Sequence, residues 1–335
     1  MKLCIIKISS HCGLKCIHCY LDSNKNEKEL STLEAEQIFS KISKSSFNTI
    51  ALEGDHSDLI SIIEIATKFN LKLTINTSAF GLNENIIDKL VGHVRSIVFS
   101  IDGSESLYHD RIRGEAGIFD RTIELITYSK KNGIDITLSS AISRANHVQI
   151  ERIIMLAVEI GANRITFLYT TPIGKAKNMN LSLNLDEWKD TCSHIKSLQH
   201  KYPIKIYYEP VLCSEIENKQ FCSAISQQYL AVDVEGFAYF CPLLIGQTEY
   251  TLGNIFNEDV SVLYNSNNIE KIYNKKTNNG HCQNCNHNKF CAGLCFIHST
   301  DIINSLPTKN NNKSLCMANI PLCYIYWEGL KYNFD

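Results

Sequence analysis

Leu3-Cys4-Ile5-Ile6-Lys7-Ile8-Ser9-Ser10-His11-Cys12-Gly13-Leu14-Lys15-Cys16-Ile17-His18-Cys19 joins an apolar run to three closely spaced thiols. The run Leu3–Ile8 predicts a buried strand, and the cysteines fall in the loop that leaves it. Outward from this stretch the same unit recurs. Apolar strand candidates stand at Thr49–Leu52, Leu71–Asn76, Ser96–Ile101, Ile134–Ala141 and Arg164–Tyr169. Between them run stripes at helical spacing, such as Leu59, Ile62, Ala66 and Phe69, or Ile150, Ile153, Ile154 and Ala157. Gly133 and Gly161 stand where a helix C-terminus favours glycine. Strand–helix units in series predict an α/β fold with a parallel sheet and outer helices. Six units are too few for a closed eight-fold barrel, so the expected form is an open, partial (β/α)6 TIM-like barrel. In such folds the site lies at the carboxyl ends of the strands, where the cysteine loop falls.

With 335 residues the chain is long enough for about two domains. The strand–helix cycle predicts a barrel over 1–185. A bridging helix (Asp186–His200) and linker follow over 186–212. A smaller, loop-rich unit spans 213–335, and short strands are expected near Lys205–Tyr208, in the linker, and Leu230–Val234. A net charge of −2 gives no electrostatic case for nucleic acid or an anionic membrane as partner. The start of the chain is too short and too charged at Lys7 for a secretory signal, and no run approaches a membrane span. The expected location is cytoplasmic. Fourteen cysteines in a reducing compartment point to metal or redox chemistry rather than disulfides. They crowd at the two ends of the chain. Cys4 and Cys192 read as small buried hydrophobes.

The spacing Cys12-x3-Cys16-x2-Cys19 suits an iron–sulfur cluster. Three thiolates on a four-iron cube leave one iron open to a substrate, as an open position does at a catalytic zinc. The competing structural reading is a zinc site completed by His11 or His18. After the first strand of a partial barrel, this motif resembles the radical S-adenosylmethionine (radical SAM) superfamily. The resemblance implies S-adenosylmethionine as cofactor, chelated at the open iron and cleaved by one electron to a 5′-deoxyadenosyl radical that abstracts hydrogen from substrate. It also implies an external electron donor of flavodoxin or ferredoxin type.

Further segments carry the same resemblance. Ser100-Ile101-Asp102-Gly103 ends the fourth strand and is similar to the segment that contacts the cofactor's ribose and methionine groups. His109-Asp110-Arg111-Ile112-Arg113-Gly114 is similar to one that commonly follows. Arg144 is a candidate partner of the cofactor's carboxylate, with a solvated arginine as the alternative. Pro172-Ile173-Gly174 also matches. The family's Gly-Gly-Glu-Pro is replaced by Glu53-Gly54-Asp55-His56, in which Gly54 and Asp55 are the candidate cofactor contacts. The frequently aromatic residue before the last cysteine is His18. His56 is a candidate contact of cofactor or substrate, while Tyr169 reads as barrel packing.

The second cysteine group runs Cys222-x13-Gly236-x4-Cys241, then Cys282-x2-Cys285-x5-Cys291-x3-Cys295, then Cys316. Structural zinc ribbons are the alternative for such pairs. Beside the first triad, the spacing resembles the SPASM extension of radical SAM enzymes, which implies two auxiliary [4Fe–4S] clusters and three clusters in all. Carried over, Cys282, Cys285, Cys291 and Cys316 hold the outer cluster. Cys222, Cys241 and Cys295 hold the inner one, with Cys213 or an open iron completing it and Cys323 an understudy for Cys316. Relatives of this type modify peptides, by crosslinking, oxidation or epimerisation, and a ribosomally made peptide is the expected substrate. The alternatives are a small-molecule alcohol dehydrogenase, an anaerobic sulfatase maturase, or a non-catalytic iron–sulfur or zinc protein. Pro242 occupies the place of the maturase's proposed Asp base and counts against that activity. The first strand starts at Leu3, so a separate leader-binding domain is not expected ahead of it.

Overall fold

The computed structural model describes residues 2–21, 27–208, 228–265, 267–269 and 271. Strand β1 (Leu3–Lys7) is followed by α1 (Thr32–Ser43), β2 (Thr49–Glu53), α2 (Leu59–Lys68) and β3 (Lys72–Thr77). Then come α3 (Glu84–Leu90), β4 (Val94–Ser100), α4 (Ser106–Arg113), α5 (Ile118–Lys131) and β5 (Asp135–Ile142). The cycle continues through α6 (Ile150–Glu159), β6 (Arg164–Tyr169), α7 (Leu185–Leu198) and β7 (Lys205–Tyr208). Each strand from β1 to β7 pairs in parallel with the next.

The six predicted barrel strands all form, within two residues of the expected bounds. The parallel run does not stop at six, however. Lys205–Tyr208, expected as a short strand beyond the bridging helix, pairs with β6 in the register Ile165↔Ile206. On the other side, β8 (Tyr229–Val232) pairs in parallel with β1, Cys4 opposite Leu230 and Ile6 opposite Val232. β9 (Phe237–Tyr239) returns antiparallel to β8, and the two-residue β10 (Gly253–Asn254) completes the sheet before the short α8 (Val260–Leu263). The order is β10-β9-β8-β1-β2-β3-β4-β5-β6-β7, and among the described residues its two ends do not meet. It is an open, partial barrel with an extension on its first strand.

Alternation along the strands separates two faces. Leu73 and Ile75, Ile97 and Phe99, Ile136 and Leu138, and Ile165 and Phe167 are buried in the continuous apolar core. On the other face Asn76, Val98, Ser100, Ser139, Thr166 and Leu168 stay half-buried. The hydrogen bond from Asn76 Nδ2 to Glu53 Oε1, 2.7 Å, shows neighbouring strands presenting polar groups on that second face. Cys4 is buried as expected and Cys192 half-buried; burial pushes the Cys4 thiol far up, so it stays neutral. Helix ends carry their own stops: Ser31 and Glu34 form a capping box on α1, Asn184 and Glu187 one on α7.

Candidate radical-generating site

The cysteine loop leaves the C-terminal end of β1 and is fastened along its length. Ile8 N–H donates to Glu53 O at 2.8 Å, and Leu30 N–H returns to Ile8 O at 2.9 Å. Leu14 is an apolar anchor, 1% exposed. Farther along, Lys15 N–H donates to Arg113 O and Ile17 N–H to Ile112 O, at 3.1 and 3.0 Å. The last turn of α4 therefore supplies carbonyls that helix geometry leaves unused. Gly114 ends that helix at φ +72°, and a Cβ there would stand 2.6 Å from Lys15 O. The tight fit requires glycine.

Asp102, fully buried just beyond β4, is the hub beneath this loop. Its Oδ2 accepts from Arg113 Nη2 at 2.7 Å and lies 2.7 Å from His18 Nε2. Its Oδ1 accepts from Ala141 N–H at 2.8 Å. Asn146 Nδ2 bridges the carbonyls of Asp102 and Ala141, at 3.0 and 2.9 Å. Burial opposes the charge on Asp102, but the Arg113 guanidinium and then His18 outweigh it and hold the carboxyl below its usual range. Asp102 N–H donates to His109 Nδ1 at 3.1 Å. Burial and then the nearby Arg113 charge push the His109 imidazole down to about 4. It is neutral, with its proton on Nε2.

Arg113, 9% exposed, reaches the cysteines directly: Nη1 stands 3.9 Å from Cys16 Sγ. Burial pushes the Cys16 thiol up and the guanidinium pulls it back. Burial likewise raises Cys12, against a hydrogen bond from the backbone at Leu14. Beside Cys19, Tyr20 donates its hydroxyl to Glu53 Oε2 at 3.3 Å. Burial and then the Glu53 charge drive its ionisation far up, with Cys19 and Cys241 adding to the effect. Cys241, which follows β9, thus lies near enough to Tyr20 to be felt.

The expected cofactor contacts fall as follows. Gly54, at φ +110°, lets β2 approach β1 so closely that a Cβ would meet Ser9 O at 2.5 Å. Asp55 accepts from Gly13 N–H and Gly81 N–H at 3.4 and 3.3 Å, which ties it to the cysteine loop; burial raises its carboxyl. Ser100 is half-buried at the end of β4, opposite Ser139. The carboxylate of Asp102 is turned to protein donors. Arg144 is engaged elsewhere, by Glu187 at 3.1 Å and Asn180 Oδ1 at 2.5 Å, so it clasps the start of α7. His56 Nε2 donates to Leu30 O at 2.8 Å, its Nδ1 accepting from Asp58 N–H, and pins the returning loop. Tyr169 packs on Trp188 and bonds Leu183 O, in keeping with the packing role expected of it. Gly174, at φ +56°, closes on the carbonyls of Cys19 and Tyr20. Cys213, Cys222, Cys282, Cys285, Cys291, Cys295, Cys316 and Cys323 lie outside the described residues.

Three thiols on one loop with a buried cation against them suit a net-negative iron–sulfur cluster. One observation supports the fit. Arg113 Nε is buried with no acceptor in the protein, and sulfide is an acceptor a cluster would bring. Among the described residues no three His, Cys, Asp or Glu side chains are arranged to hold a metal ion.

The radical SAM superfamily model matches residues 6–157, spanning the triad, Gly54, Asp102 and Arg113. Residues 6–157 are a radical SAM domain. A second match, to the iron–sulfur cluster-binding domain SPASM, covers residues 222–286. The chain with this radical SAM domain is 22% identical over 327 residues to the antilisterial bacteriocin subtilosin biosynthesis protein AlbA of Bacillus subtilis, covering 92% of this chain and 69% of that one. It is also 22% identical to an AdoMet-dependent heme synthase of Methanosarcina barkeri, covering 87% and 90%. The fold is similar to that of Streptococcus suis SuiB in its crystal structure with the precursor peptide SuiA. There the TM-score is 0.75 at 17% identity, over 94% of this chain and 76% of that one.

The residues whose part sequence reasoning did not assign are Arg113, His109, Tyr20 and Glu53. Arg113 carried a signal: a cation beside Ile112 on the inward side of an eight-residue helix, four residues after a histidine.

Proposed function

We propose that this radical SAM enzyme modifies a ribosomally made peptide, starting from S-adenosylmethionine bound at a cluster held by Cys12, Cys16 and Cys19. The chemistry supplied by such a cluster, when reduced and loaded, is release of a 5′-deoxyadenosyl radical; the protein positions and shields it. The observation that carries the reading is the thiol loop at the end of β1, pinned by α4 carbonyls and Arg113 and walled by Asp55. The half-buried polar strand face beside it, with Glu53 and Asn76, offers a substrate hydrogen-bonding groups. AlbA by name serves bacteriocin biosynthesis, and SuiB holds a precursor peptide, which supports a peptide over other substrates. The auxiliary ligands in this reading are Cys213, Cys222, Cys241 and Cys295 for the inner cluster. Cys282, Cys285, Cys291 and Cys316 hold the outer one. An electron donor of flavodoxin or ferredoxin type reduces them.

The similarity to a heme synthase favours a second reading, a small-molecule substrate. Anaerobic reconstitution tests the first stage. Three cubes correspond to about twelve irons per chain. Replacing Cys12, Cys16 or Cys19 with Ala should abolish 5′-deoxyadenosine formation and leave about eight irons. Turnover with a peptide encoded beside the gene, followed by its mass, separates the substrates. An unchanged peptide mass with 5′-deoxyadenosine still formed would favour the small molecule.

A further inference from the structure

Arg113 has two partners and one orphan. Nη2 is fixed at 2.7 Å by Asp102, Nη1 stands 3.9 Å from Cys16 Sγ, and Nε is buried without an acceptor in the protein. A long, flexible cation is thereby locked in one orientation, its fork turned toward a thiol. Asp102 is itself held by His18 and Ala141 N–H, so the lock does not depend on Arg113 alone. Geometry of this kind is costly unless both charges are satisfied. The carboxylate satisfies one side. The other side is open to sulfur.

We propose that Arg113 is a positioning residue of the first cluster, which, oriented by Asp102, donates hydrogen bonds to the Cys16 sulfur and its surroundings and raises the cluster's reduction potential. The proposal rests on the assignment of Cys12, Cys16 and Cys19 as cluster ligands. Reduction adds one negative charge to a group already negative, and hydrogen bonds and local charge at the sulfurs set how readily that happens. The Asp102–Arg113 pair is a dipole with its positive end at the sulfur, in a buried setting where screening is weak. Removing the positive end must make the cluster harder to reduce. Removing the negative end must make it easier. A residue that merely packs would not give opposite signs.

The test is an EPR-monitored redox titration of the first cluster in the full-length, reconstituted protein, with iron content measured on each sample. R113M is expected to lower the reduction equilibrium about tenfold, equivalent to about 59 mV for one electron. R113K, which keeps the charge without the planar fork, should fall between R113M and the parent. D102N should shift the potential the other way. Iron retained with an unmoved potential in R113M, or a shift of R113M and D102N in the same direction, would overturn the role of Arg113. Should R113M lose its iron, R113K decides: a potential equal to the parent's, or loss of iron there too, overturns the proposal. A parent protein that binds no iron at the triad overturns the site assignment itself.

Discussion

His109 shows what a single buried side chain commits the fold to. Its Nδ1 accepts from the Asp102 backbone, so the ring must stay neutral, and its folded pKa is about 4 against the usual 6.5. Between those values the unfolded chain binds the extra proton and the folded chain does not. Stability therefore falls as pH drops from 6.5 to 4, by up to about 3 kcal/mol for a shift of this size. Asp102 acts in a lower window: its depressed carboxyl contributes stability above its ordinary pKa and loses it only on further acidification. We expect urea-denaturation free energies of the parent to decline across the higher window. H109N, which keeps an acceptor but does not titrate, should flatten that decline. None of this was visible in the sequence. His109 was singled out there only as part of a segment, because nothing in a one-dimensional spacing says which ring nitrogen meets which backbone.

At the scale of elements, α4 is the piece that makes the thiol loop rigid. Its eight residues end in two carbonyls bonded to Lys15 and Ile17, and Gly114 lets the chain turn away without striking the loop. G114A places a Cβ in a left-handed position and 2.6 Å from Lys15 O. We expect a cost above about 1 kcal/mol, seen as a lower denaturation midpoint, together with iron lost selectively from the first cluster. The barrel elements themselves were legible because the strands carry apolar residues in a continuous run, as in β1 and β2, or in alternation, as in β3 and β6, and the helices between them have one apolar stripe. Lys205–Tyr208 and Leu230–Val234 were also legible as strands. Their partners were not, since pairing with β6 and β1 is a matter of distant chain meeting in space.

Across the whole molecule, the same sheet carries both cysteine-bearing regions described. β1 is an interior strand because β8 covers its outer edge, from Leu3 opposite Tyr229 to Ile6 opposite Val232. A chain cut after Tyr208 would leave that edge bare, an apolar row of unpaired N–H and C=O groups that invites pairing with another copy. We expect such a truncation to form aggregates or higher oligomers by light scattering under conditions where the full chain does not. The family and the first site could be read from Cys12, Cys16 and Cys19 because ligand spacing is local. The second group of cysteines gives only a motif, apart from Cys241, whose influence on Tyr20 ties it to the first.

That shared ladder has a mechanical meaning. Cys12 trails the strand that β8 grips, and Cys241 trails the strand that grips β8 in turn. Drawing β9 away from β1 would tear backbone hydrogen bonds along both ladders. The ends of β1 and β9 are thereby held at a spacing that the sheet itself, and no hinge, sets.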